Sequence, residues 1–142
     1  MKPKRNELFA PIESEALNLL LAGELPILQQ LRAQIERVVG VERTFTKVGF
    51  YVRFELPEDT AVIPGMPSFA ISDVSGRVEG TTHGVCFVLF IKSGRLHFLE
   101  GATFGGAEWP TKIEEFSLGY DHGERDWAEV EKMIQTKVQL NP

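Results

Sequence analysis

Glu100 is the residue whose position first calls for a chemical reason. Ser93-Gly94, set between two apolar runs, marks a two-residue hairpin loop. The register from that loop sets Ile91 opposite Leu96, Leu89 opposite Phe98 and Phe87 opposite Glu100. Glu100 then shares a face with Leu96 and Phe98, at the end of an apolar stripe. A buried carboxylate is costly unless it is paired. Two chemistries fit: an acid of raised pKa that anchors a ligand, or a strand-end carboxylate bonded to loop N–H groups or to an arginine.

The next candidate is the loop Gly101 to Pro110, GATFGGAEWP. Three glycines let backbone approach an anion, but the lysine of GxxxxGK[ST] and the spacing of GxGxxG are both missing. The loop reads better as a turn in which Trp109 folds back as a lid on the core. Alternatively, Glu108 and Trp109 form an exposed contact patch, because Trp is a frequent interface anchor.

His83, His97 and His122 show no HExxH or HxH spacing, so no metal site is expected. In the hairpin register His97 lies across from Phe90, on the opposite face from Glu100. Cys86 sits in the most apolar strand, where a thiolate is disfavoured, and it reads as a buried structural thiol. No GxSxG supplies a serine nucleophile. No catalytic residue and no cofactor is expected.

The elements that position these residues follow from periodicity. Pro11 to Ala22 reads as a helix with Ile12, Ala16, Leu19 and Leu20 on one face, closed by Gly23. Leu25 to Val39 reads as a second, with Leu28, Leu31, Ile35 and Val38 inward and Gln29, Arg32, Gln34 and Glu36 outward. The pair makes a helical hairpin.

From Thr46 to Leu56 the period becomes two. Val48, Phe50, Val52, Phe54 and Leu56 share one side; Lys47, Tyr51, Arg53 and Glu55 share the other, wet side. A strand near Phe69 to Glu79 carries a bulge at Asp73 to Gly76. Val85 to Ile91 is apolar at every position and reads as a central strand covered on both faces. Leu96 to Thr103 pairs with it, and Ile113 to Tyr120 is a further strand. Asp126 with Glu129 forms a capping box before a last helix, whose buried face is Trp127, Val130, Ile134 and Val138. The order is α+β: a helical hairpin, a mainly antiparallel sheet of about five strands and a C-terminal helix.

Composition bounds the function classes. The chain of 142 residues suits one domain, with residues 1–9 read as a flexible tail. One cysteine forms no internal disulfide and fits a reducing compartment. The basic start, Met1 to Asn6, is not followed by a pure apolar run, and Val85 to Ile91 is too short for a membrane span. A cytoplasmic protein with no membrane partner is expected. The net charge is −5, and residues 108–142 carry most of it, with 8 acids against 4 bases. That balance opposes nucleic-acid binding and permits a basic protein partner.

The stretch Glu79 to Val85, Phe87 to Ile91, Gly94, Leu99-Glu100-Gly101-Ala102-Thr103 and Trp109-Pro110 resembles a recurrent pattern of small bacterial α+β proteins. Some similar proteins are of toxin-immunity type. The resemblance covers about a quarter of the chain, implies protein binding for that type and supplies no catalytic residue.

The expectation is thus a non-enzymatic protein that contacts another protein. The competing expectation is a small-molecule binder or hydrolase whose pocket lies between sheet and helices and contains Glu100 with Tyr51 or His97. A third is a homodimer formed through the open face of the sheet or a strand edge.

Overall fold

In the computed structural model, which describes residues 8–139, the chain begins with α1 (Pro11–Leu20) and α2 (Pro26–Ile35). Proline opens each helix, where its missing N–H is no loss. Five strands follow, β1 (Gly40–Phe45), β2 (Gly49–Glu55), β3 (Phe69–Val78), β4 (Val85–Lys92) and β5 (Arg95–Thr103). After a 3₁₀ turn, Phe104–Gly106, come β6 (Phe116–Tyr120) and α3 (Trp127–Gln135). The fold is α+β. Its sheet is antiparallel throughout, in the order β1-β2-β5-β4-β3-β6. There are six strands among the described residues rather than about five.

The added strand is β1. Gly40 does not close a long second helix; it opens a strand that pairs with β2, Gly40 against Glu55 and Phe45 against Phe50. The helix stops at Ile35, and the Val39 N–H already bonds the Glu55 carbonyl at 2.9 Å. β-Branched Val38 and Val39 suit that extended exit. The tail read over residues 1–9 is also revised. Phe9 is buried against Phe54, and Leu8 packs on the core. Residues 1–7 lie outside the described residues.

One face of the sheet carries the core. Phe50 and Val52 of β2, Leu99 of β5, Phe87 and Leu89 of β4, and Ile71 and Val74 of β3 meet Leu17, Leu20, Leu28, Leu31 and Val130 of the helices. Phe50 crosses the sheet directly beneath Gly101, where a Cβ would come within 2.3 Å of the ring. The β4–β5 hairpin turns at Ser93-Gly94 with φ of 50° and 81°, the left-handed pair that matches strand twist. Gln34 clamps this turn and is not on the wet side of α2: it is 2% exposed. Its amide donates to the Gly94 and Ala61 carbonyls at 2.9 and 3.1 Å and accepts from the Leu96 N–H at 2.8 Å.

The end of α1 is held by distant residues. Helices leave their last carbonyls unanswered. Here Arg125 donates to Leu20 and Ala22, Tyr120 to Leu19, and Arg32 to Leu21 and Gly23. Arg125 also forks onto Asp73 at 2.9 and 3.2 Å, and its guanidinium lies between the Tyr120 and Trp127 rings, 5.1 Å from each. In α3 only Val130 and Ile134 are buried. Trp127 is 41% exposed, and Val138 lies past the helix end, its N–H on the Ser68 carbonyl.

Candidate functional site

Two bulges flank β4 and set what its neighbours display. On β3 the pairing steps from Ile71–Leu89 to Val74–Phe87, so one residue is extra in Ser72-Asp73. On β5 it steps from Phe90–Phe98 to Ile91–Leu96, and His97 is the extra residue. A one-residue slip turns every later side chain to the other face. Glu100 therefore stands opposite Val88 on one side and Tyr51 on the other. The expected pairing of Glu100 with Phe87 is corrected to Gly101 with Phe87, and Leu99, not Phe98, pairs with Leu89. Leu99, Gly101 and Thr103 point to the helices; Phe98, Glu100 and Ala102 point away.

That outer face holds three of the five candidate residues. Tyr51, His97 and Glu100 lie around Phe98, whose ring stacks on Phe90 with centroids 4.4 Å apart and meets Tyr51 and His97 edge-on at 5.7 and 5.0 Å. His97 and Glu100, expected on opposite faces, share one because His97 is itself the extra residue of the bulge. Cys86 and Val88 of β4 continue the patch. All are half-buried except Tyr51, which is 38% exposed. None of these side chains belongs to the core beneath the helices. The expectation that β4 is covered on both faces is thus corrected: α1, α2 and α3 cover one, and no described element crosses the other.

The electrostatics of this face are uneven. The Tyr51 hydroxyl faces the Glu100 carboxylate; hydrogen bonding to that anion, then its charge and burial, raises the tyrosine pKa above its ordinary value. Burial, the Glu100 charge and Asp121 push the Cys86 thiol up. His97 is shifted down, first by burial and then by the Arg53 and Lys92 cations. Glu100 is thus an anion that acts on both Tyr51 and Cys86, and Arg53 and Lys92 are cations that act on His97. Among the described residues no cation forms an ion pair with Glu100, and none with Arg53 or Lys92 as the cation.

The other two candidates lie elsewhere. Trp109 is on the helix side, its ring edge-on to Phe50 at 5.0 Å, and its backbone N–H donates to the Lys47 carbonyl. It closes over the core as a lid. Glu108, beside it, is exposed. Trp109 also lines an open cavity of about 570 Å³ with Phe9, Phe45, Phe50, Glu13 and Arg43. This is the hollow between sheet and helices that the small-molecule reading requires, but Glu100, Tyr51 and His97 do not line it. Glu13, 3% exposed, is satisfied there: it accepts a two-pronged contact from Arg43 at 2.6 and 2.8 Å and the Ala10 N–H at 2.9 Å.

Sequence reasoning missed the Glu13–Arg43 pair and the Arg125–Asp73 pair. In each the partners are separated by 30 or more residues, so no local spacing marks them. Among the described residues no three His, Cys, Asp or Glu side chains gather as metal ligands would. No described helix is long and apolar enough to cross a membrane. Comparison with protein-family models, curated proteins and solved structures gives no match. The outer face presents the stacked Phe90 and Phe98 rings, the Tyr51 hydroxyl, the Glu100 carboxylate, the His97 imidazole and the Cys86 thiol.

Proposed function

We propose that this chain is a non-enzymatic binding protein that holds another polypeptide on the outer face of its sheet. One observation carries the reading: β4 is apolar on both sides, yet its own helices cover only one. A patch of half-buried Phe90, Phe98 and Val88 with exposed Tyr51 and a charged rim has the make-up of a protein contact: aromatic at its centre and polar at its edge. Glu100 supplies the polar anchor and suits a cationic side chain of the partner.

The immunity-type resemblance fits this reading. Its Leu99-Glu100-Gly101-Ala102-Thr103 motif alternates across β5, and Glu100 is the charged member that faces out, beside Ala102. A protein toxin, bound in the cytoplasm, is then the partner. The test is co-expression with a toxin encoded beside this chain, with protection of the cell as the readout. Phe98→Asp and Glu100→Lys lose protection, whereas Phe45→Ser, on the helix side, keeps it. Full protection by both outer-face variants rules the reading out.

A second reading, a small-molecule binder, is favoured by the aromatic cavity beside Trp109. It uses Arg43 and Trp109 in place of Glu100. A compound that raises the melting temperature of the wild type but not of Trp109→Ala supports it.

A further inference from the structure

The Glu13–Arg43 pair stands in the wall of the cavity beside Trp109, and its hydrogen-bonding groups are unevenly used. Arg43 donates from Nε and Nη2 to the two Glu13 oxygens, and from Nη2 again to the Leu8 carbonyl at 3.1 Å. Glu13 accepts the Ala10 N–H as well, so both of its oxygens are engaged. Nη1 keeps its N–H groups without a hydrogen-bond partner among the described residues. Arginine has donors and no acceptor, so the polar function left open in this wall is donation. The Arg43 side chain is 27% exposed and that of Glu13 only 4%. What the pair shows to its surroundings is guanidinium, not carboxylate.

The rest of the wall is largely aromatic, and it is fixed. Phe9, Phe45, Phe50, Trp109 and Phe116 border the cavity of about 570 Å³, a size common among small-molecule sites. Phe45 ends β1 and is 67% exposed, a large ring that a seated molecule would cover. The segment carrying Trp109 is tied down along its length. The Thr103 hydroxyl donates to the Ala107 carbonyl, the Trp109 backbone N–H to Lys47 at 2.9 Å, and the Glu79 N–H to the Glu115 carbonyl at 3.1 Å. A wall held this way is formed before a ligand arrives, which lowers the ordering cost of binding.

Charge decides which aromatic molecule fits. Glu13 sits on the same guanidinium, so a ligand anion gains from Arg43 and loses to Glu13. A ligand cation meets the guanidinium, and both carboxylate oxygens already hold donors. A neutral acceptor takes an Nη1 N–H without either penalty. Resting on the reading of this cavity as a small-molecule site, we infer that its ligand is an uncharged, planar aromatic compound with a carbonyl-type acceptor, its ring against Phe45 and Trp109 and its oxygen on Arg43 Nη1.

Titration of the full chain, followed by nuclear magnetic resonance, tests this with naphthalenes that differ in one substituent: acetyl, ethyl, carboxylate or methylammonium. The chain has two tryptophans, so Trp127→Phe assigns the Trp109 indole signal. The acetyl compound shifts that signal and binds about tenfold more tightly than the ethyl compound, as a hydrogen bond to a charged donor allows. It also binds more tightly than either ion. The double variant E13L/R43M replaces the pair with apolar side chains, an exchange that buried ion pairs often tolerate. It still binds the ethyl compound but loses the preference for acetyl. Arg43→Lys, which keeps a cation on Glu13 but has no Nη1, loses most of the same preference. A wild type that binds any of the other three compounds as tightly as the acetyl one, or variants that keep the acetyl preference, overturns the inference and leaves the cavity a small-molecule site. A Trp109 signal unmoved by all four overturns the small-molecule reading and the inference with it.

Discussion

Replacing Arg125 by Met keeps the length of the side chain and removes its charge. The side chain is 4% exposed and Asp73 is 16% exposed. Four donated hydrogen bonds disappear: two to Asp73 and one each to the Leu20 and Ala22 carbonyls. Breaking a buried ion pair from one side costs about 3–5 kcal/mol. Asp73 keeps some contact with water, so the lower end, about 3 kcal/mol, is expected. For a chain of this size each kcal/mol lowers the melting temperature by about 3 °C, so the drop is about 9 °C. The assay is thermal unfolding of wild type, Arg125→Met, Asp73→Leu and the double variant. Once either partner is gone the other has less to lose, so the double variant falls short of the sum of the singles. A drop below about 3 °C, or simple additivity, refutes the claim that Arg125 locks the β3 bulge to the end of α1.

Gln34→Leu keeps the volume but orphans the Leu96 N–H and the second bond to the Gly94 carbonyl; it lowers stability by about 2–3 kcal/mol, read as a lower urea midpoint. His97 is held below its ordinary pKa in the fold, so the unfolded chain binds the proton more tightly. Its contribution is complete above about pH 6.5 and declines as the pH falls below that value. His97→Gln therefore flattens part of the acid limb of a stability–pH profile, and an unchanged limb counts against this account. Glu100→Gln removes the anion facing Tyr51, so ultraviolet titration shows one of the two tyrosines ionising at lower pH than in the wild type.

Much of the fold was legible because the local signals agreed with one another. Prolines opened both first helices, the Ser93-Gly94 turn appeared where its left-handed demand predicts, and the β3 irregularity, at Ser72-Asp73, met the expected Asp73 to Gly76 stretch only at its first residue. β1 was not legible. Its inward positions are Val41, Arg43 and Phe45, and an arginine there breaks the apolar alternation because its partner, Glu13, belongs to α1. The facing of Glu100 failed for a different reason. Leu96, Phe98 and Glu100 alternate regularly in sequence, and nothing local says that His97 is a residue too many. Only pairing with β4 reveals it. Gln34 was placed in water because it is polar, yet three backbone groups at a tight turn needed one amide. Of the five candidate residues, the ones that converge do so on the face read as wet for Tyr51.

The grip on the end of α1 also bears on how the chain acquires its shape during synthesis. Residues 11–20 leave the ribosome early, but the groups that answer Leu19, Leu20 and Ala22 are translated about a hundred residues later. Until Arg125 has emerged, that helix has an unfinished end and its docking surface on β3 and β6 is incomplete. Folding of the whole is therefore a late event, since contacts between such distant segments carry the full cost of closing the intervening loop. A nascent chain halted before Tyr120 should remain open to a protease that the full-length chain resists.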